Sequence, residues 1–273
     1  MRRLHHLLDL ANSMTGLFDS IAGAKVYDLA QPYFVGMPHF PTHPPFLFSL
    51  TRVHGDYPGP EGHSSSAEAI GLGGHVGTHI DALCHFSYRG KLHGGLAISQ
   101  SYSSGHGELT VDTIAPILRR ALLLDIAGLQ KVAALPDDFE VTAEELDRAS
   151  SGVEIRRGDV VLLRTGWAAY FTETRRFLAE GRGPGPSLEG AKWLSARGVF
   201  ATGSDTLAFE KIPSPTMPVH VHLLVEAGIH IVECLNLEEL ASAGVREFLL
   251  VAAPLKFRGA TGAPLRPLAL VAP

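Results

Sequence analysis

Two histidines and an aspartate within seven residues give this sequence its strongest chemical signal. The segment Gly73-Gly74-His75-Val76-Gly77-Thr78-His79-Ile80-Asp81-Ala82-Leu83-Cys84-His85-Phe86 holds four groups able to bind a cation or move a proton. His79 and Asp81 are two apart, which sets both side chains on one face of an extended chain. Gly77 permits a sharp turn that brings His75 toward the same point. Imidazoles and a carboxylate together suit zinc, manganese or iron(II). A surface turn with its rings in water is the plainer alternative for histidines beside glycines. The interleaved Val76, Ile80, Ala82, Leu83 and Phe86 argue for a half-buried segment instead. There an unpaired Asp81 would be costly, and a cation removes that cost.

Three ligands do not complete a coordination sphere, so others must arrive from distant sequence. Pro218-Val219-His220-Val221-His222 opens a helix, and Glu233 ends the strand that follows. A helix that turns back into a strand can bring its first turn near the far end of that strand, so His220 and Glu233 could meet. His222 could lie on another side of the helix. His230 alternates with Val232, which points it away from Glu233 and gives it a structural role. Cys84 and Cys234 each neighbour a proposed site residue, and neighbours in an extended chain point oppositely, so both are expected in the core.

The elements that must position these groups alternate between strand and helix. Strands are expected at residues 26–29, 46–53, 67–72, 120–126, 159–164, 199–202, 230–233, 248–253 and 268–271, with a Pro-rich irregular stretch from 31 to 45. Thr142 and Glu145 form a capping box for a helix to Ala149. Ser187 caps a helix that carries Leu188, Ala191, Trp193 and Leu194, and a further helix spans 219–227. Asn236 caps another helix, from Leu237 to Ala243. Runs such as Val160-Val161-Leu162-Leu163 indicate an α/β protein with a largely buried sheet. No G-x-G-x-x-G opens a helix after a strand and no Walker A loop is present, so the nucleotide-binding versions of that pattern are not expected.

With 273 residues, 45% of them hydrophobic, the chain can fill one large domain over 1–273 without disulfide support. Charged residues make up only 19% and the net charge is -5, with no basic run, so nucleic acid is not the expected partner and a small molecule is. Two cysteines are too few for a secreted framework, which favours a reducing, cytoplasmic setting. No run reaches the roughly 18 apolar residues of a membrane span. Leu4, Leu7, Leu8, Ala11, Met14 and Phe18 fit one face of a helix over residues 1–20, expected to dock by that face, on another subunit in one reading.

The run His75-x-Gly77-Thr78-His79-x-Asp81-x-x-x-His85-Phe86 resembles the signature of the metal-dependent cyclase family, which includes bacterial kynurenine formamidase and isatin hydrolase. The stretches Gly158 to Trp167, Gly203-Ser204-Asp205-Thr206, and Pro218 through Glu233 to Leu237 are similar to that family as well. So are Val26 to Leu29 and Gly36-Met37-Pro38, so the resemblance spans nearly the whole chain. It implies a cyclase-family α/β fold, a partly open β-barrel with flanking helices, and a homo-oligomer. It also implies a binuclear zinc or manganese site. His75, His79 and Asp81 would hold one ion, and Asp81 would bridge to a second held by His220 and Glu233. His220 is preferred to His222 because Leu223-Leu224 follows it at the family spacing.

The same resemblance places His85 beside the metals as proton-shuttling acid and base. The implied reaction is attack of metal-activated water on an amide, lactam or lactone carbonyl, with His85 protonating the departing group. Phe40, His43 and Trp167 are the candidate substrate contacts. Two departures stand out: Leu83 replaces a proline of the relatives, and Phe40-Pro41-Thr42-His43 replaces a Trp-Pro-Gly-Asp-like segment. Two other functions fit parts of the pattern. His79, Asp81 and His220 match the facial triad of a non-haem iron(II) oxygenase, but that use leaves His75 and His85 idle, and no Lys or Arg follows His220 until Arg246. A metal- or ligand-binding protein without catalysis is the third; there, replacing His85 would change neither function nor metal content.

Overall fold

The computed structural model describes residues 16, 18–19 and 21–272. Most of the expected terminal helix, residues 1–15, 17 and 20, lies outside the described residues. Positions 18–19 and 21–22 are helical and exposed.

Among the described residues, nine strands form one sheet that curls into a half-barrel, which bears out the expected α/β fold with a partly open barrel and flanking helices. Its order is Lys25–Asp28, Leu268–Val271, Glu247–Ala252, Ile117–Asp125, Val160–Arg164, Ala201–Ser204, His230–Glu233, His79–Asp81 and Gly262–Pro264. The four central strands, from Ile117–Asp125 to His230–Glu233, run parallel. Their crossovers carry helices such as Ala143–Ala149 and Leu188–Ala196. Parallel strands covered on both faces need apolar side chains in both directions. Ala121 to Leu124 and Val160 to Leu163 meet that need and are buried throughout.

The flanking strands pair antiparallel, and one of these pairings builds the site. His79–Asp81 lies beside His230–Glu233 with His79 opposite Glu233 and Asp81 opposite Ile231. Its other edge pairs with Gly262–Pro264. His79, Asp81 and Glu233 therefore share one face of the sheet, while Ile80 and Val232 sink into the core on the other. Glu233 is also the last residue of its parallel strand, and ligands in such sheets gather outside those carboxyl ends.

Helix starts follow the expected chemistry. Both halves of the Thr142/Glu145 capping box form, and the Ser187 side chain accepts from Gly190 N–H. The expected helix at 219–227 divides into an α turn, Pro218–His220, and a π-helical stretch, Val221–Ala227. π-helical turns are uncommon and concentrate at functional sites.

Candidate metal centre

The loop from Gly73 to Thr78 enters the sheet through a left-handed turn at Gly77, where φ is +63°. A Cβ there would come within 2.7 Å of the Tyr33 ring and 2.8 Å of Met37 Cε, so the position needs glycine for space as well as for conformation. The Tyr33 hydroxyl lies 2.9 Å from the carbonyls of both Val76 and Thr78. The Thr78 hydroxyl donates to Cys234 O, 2.7 Å away, and ties the loop to the end of the neighbouring strand.

On this frame His75, His79, Asp81, His220 and Glu233 converge. Two groups of three, His75–His79–Asp81 and Asp81–His220–Glu233, each place their ligand atoms within 4.8 Å of one another. Asp81 belongs to both. Its Oδ1 lies 2.7 Å from His75 Nδ1, and His79 Nε2 lies 3.4 Å from both Asp81 Oδ1 and Glu233 Oε2. His220 Nε2 is 3.2 Å from Glu233 Oε1. His79 Nε2 and Asp81 Oδ2 are buried and make no hydrogen bond with a described residue. Buried polar atoms left in that state cost about 1–3 kcal/mol each. A divalent cation satisfies both, and three imidazoles with two carboxylates are a donor set suited to zinc or manganese.

The charges are arranged for a cation as well. Asp81 stays ionised well below the usual carboxylate range: burial opposes this, but His85, His75 and His79 outweigh it. Burial and the Asp81 charge push Glu233 up, yet His220 and His79 hold it down at about 2. Burial lowers His79 and His220, and their carboxylate neighbours more than reverse it, holding both at about 10. Three buried carboxylates, Asp81, Glu233 and Glu210, thus hold protons on the two imidazoles, two of these carboxylates standing where a cation would sit.

His85 stacks on His75 with ring centroids 3.8 Å apart and meets Phe86 edge-on at 5.0 Å. Burial drives it down to about 3, so its ring is neutral at working pH. The stretch 39–45 places His43 beside it, with its ring 5.1 Å from His75, 6.0 Å from His85 and 5.6 Å from Phe40. Phe40 also lines a largely apolar cavity of about 540 Å3 with Leu207, Ile212 and Met217. A larger cavity of about 650 Å3, walled by Phe34, Phe46, Phe48 and Ile70, contains none of these site residues.

Trp167 differs from expectation. It is 4% exposed, packs against Tyr170 and Phe177, and its indole N–H donates to Leu135 O, so it is a packing residue rather than a pocket wall. His222 bonds Ser195 and Glu226, away from the ligand groups. His230 faces the backbone carbonyl of Asp81, in keeping with a structural role. Both cysteines are free and buried.

Two partners escaped the sequence reading. Glu210, only 2% exposed, places Oε2 2.8 Å from His220 Nδ1. Thr261 Oγ1 lies 2.8 Å from His75 Nε2. The available signal for Glu210 is a lone acid closing the apolar run Leu207-Ala208-Phe209, and Thr261 offered none.

A half-barrel that gathers three imidazoles and two carboxylates beside a fourth imidazole defines an α/β protein with two candidate metal-binding groups. The comparisons agree. Residues 27–211 match the family model described as putative cyclase, and the chain belongs to that family. It is 30% identical over 213 residues to the isatin hydrolase of Roseibium aggregatum, covering 73% of each chain. It is 26% identical over 240 residues to the kynurenine formamidase of Bacillus cereus, covering 88% of this chain and 94% of that one. A crystal structure described as a novel cyclase superposes with a TM-score of 0.83 at 27% identity, covering 93% of this chain and 89% of that one.

Proposed function

We propose that this chain is a metal-dependent hydrolase that opens the carbonyl of a small amide, lactam or lactone. The observation that carries the proposal is the pair of ligand groups joined at Asp81, with partnerless buried atoms on His79 and Asp81. A divalent ion bound there, zinc or manganese, would polarise the carbonyl and lower the pKa of water from 15.7 toward about 7.

The chain's own residues supply the rest. Asp81, shared between the groups, would help to hold a cation in each. His85 stacks on His75 at the edge of both ligand groups, a position from which it would take a proton from the attacking water and return it to the departing amine or alkoxide. Phe86 and the stacked His75 keep bulk water from one side of that ring. Phe40 and His43 form the wall that holds the substrate, and the apolar cavity beyond Phe40 accepts its non-reacting part. The sibling activities on isatin and on kynurenine formamide support a C–N bond as the target. A homo-oligomer in the cytoplasm completes this reading.

The iron(II) oxygenase alternative would leave His75 and Glu233 without a task, although both stand within the ligand groups. Metal-reconstituted protein screened against N-formyl amides, lactams and lactones, with and without oxygen, tests the assignment. Hydrolysis that needs the cation and ignores oxygen supports it. Turnover that stops without oxygen, or none that depends on metal, removes it.

A further inference from the structure

The three imidazoles of the centre each turn their second ring nitrogen to an outer partner, and the three partners differ in kind. His79 Nδ1 donates to the Gly77 carbonyl at 2.8 Å. His75 Nε2 faces the Thr261 hydroxyl at 2.8 Å. His220 Nδ1 faces a buried carboxylate, that of Glu210, also at 2.8 Å. A metal-ligating histidine needs such a partner to fix which nitrogen carries the proton and which presents its lone pair.

Glu210 is held as firmly as the ring it faces. Its Oε1 accepts from the Ser214 hydroxyl at 2.8 Å and from Val219 N–H at 3.2 Å, and its Oε2 accepts from His220 N–H at 3.4 Å. The carboxylate therefore caps the first turn of the helix that carries His220 and orients that ring with the same pair of oxygens. Met217, at φ +45°, and Pro218 set the chain direction into that turn. Among the described residues, no hydrogen bond or ion pair joins Glu210 to His75 or His79.

We propose that Glu210 is the positioning residue of the Asp81–His220–Glu233 group alone, and that Thr261 serves the His75–His79–Asp81 group in the same way. The proposal rests on the metal-site reading above. With Nδ1–H donated to Glu210, His220 offers the Nε2 lone pair beside Glu233. Glu210→Gln is close to isosteric and keeps an oxygen for Ser214 and Val219, but turns an amide N–H toward His220 Nδ1. That exchange moves the ring proton to Nε2, where it blocks ligation. Thr261→Val removes the hydroxyl and keeps the shape.

The test is calorimetric titration of metal-free protein with zinc, on wild type and both variants, beside thermal unfolding of each metal-free form. Two ions are expected in wild type. Glu210→Gln should hold one with unchanged affinity and bind the other about 10–100-fold more weakly. Thr261→Val should weaken the complementary ion and spare the one lost in Glu210→Gln. Equal weakening of both ions in Glu210→Gln, unchanged binding in it, or a single ion in wild type would each overturn the proposal. A wild type that binds no zinc or manganese would overturn the functional reading with it. A merely structural Glu210 would lower the melting temperature of the metal-free form and would not single out one ion.

Discussion

At the scale of single residues the proposed mechanism gives cation binding and proton transfer to different side chains, so substitutions should separate the two. His85→Gln removes a neutral base and leaves both ligand groups whole. Loss of general acid–base catalysis costs about 10²–10⁴ in kcat, and metal content by elemental analysis should stay at the wild-type level. Asp81→Asn should abolish metal binding and activity together, because both groups draw on that carboxylate. Metal uptake should also depend on pH. His79 and His220 hold protons up to about 10 in the metal-free protein, and a cation must displace them. Affinity therefore rises with pH across the neutral range. Calorimetry in buffers of different ionisation heat should show proton release, and uptake of protons would contradict the arrangement.

Much of this was legible in residue types alone. The His75, His79 and Asp81 grouping is local, so spacing exposes it. Glu210 and Thr261 were not legible, because the imidazoles they meet lie 10 and 186 residues away and no local pattern marks a buried partner. Trp167 misled for the opposite reason: it follows a strand end, where pockets form, but its ring finds Tyr170 and Phe177 first.

At the scale of elements the chain relies on turns that tie parallel strands together beyond their hydrogen-bonded length. Asp205, just past Ala201–Ser204, accepts from Thr165 N–H and hydroxyl at 2.8 and 2.6 Å and from Gly166 N–H at 2.8 Å. Asp205→Asn would turn an amide donor toward one of these donors and should cost about 1–3 kcal/mol in urea unfolding. Burial pushes this carboxyl up to about 6, against the pull of the same donors. A group raised above its unfolded value, about 3.9, stabilises fully below that value and loses its contribution as pH rises through about 6. The advantage of wild type over Asp205→Asn should therefore shrink between about pH 4 and pH 7, and an advantage that grows would refute the assignment. Most of the expected strands lie within a residue or two of their positions, since continuous apolar runs mark them; Ile117–Asp125 begins three residues earlier than expected, and the short Gly262–Pro264 was not read as a strand. The pairing of His79–Asp81 with His230–Glu233 was not, because nothing in either segment names its partner. The π-helical stretch after His220 was likewise invisible to a pattern that only counts apolar spacing.

At the scale of the whole molecule the two candidate ligand groups join segments that are far apart in sequence, so removal of a bound cation should be felt globally. A ligand that binds only the folded state at 100 times its dissociation constant adds about 2.7 kcal/mol of stability. For a chain of this size that is about 5–10 °C in melting temperature. Chelation should lower the melting temperature by that amount and zinc or manganese should restore it; a melting curve indifferent to chelator would argue against a resident ion.

The antiparallel pairing of His79 with Glu233 carries a consequence for tolerance to insertion. Side chains on a strand alternate, so adding or deleting one residue within 79–81 or 230–233 reverses which way every donor points. Parts of the sheet away from these strands could survive such a frame slip, although it would turn Asp81 and Glu233 toward the core that Ile80 and Val232 now fill. The coordination chemistry could not. Descendants of this chain are thus free to lengthen their loops, while these two short ribbons must keep their phase or cease to grip a cation.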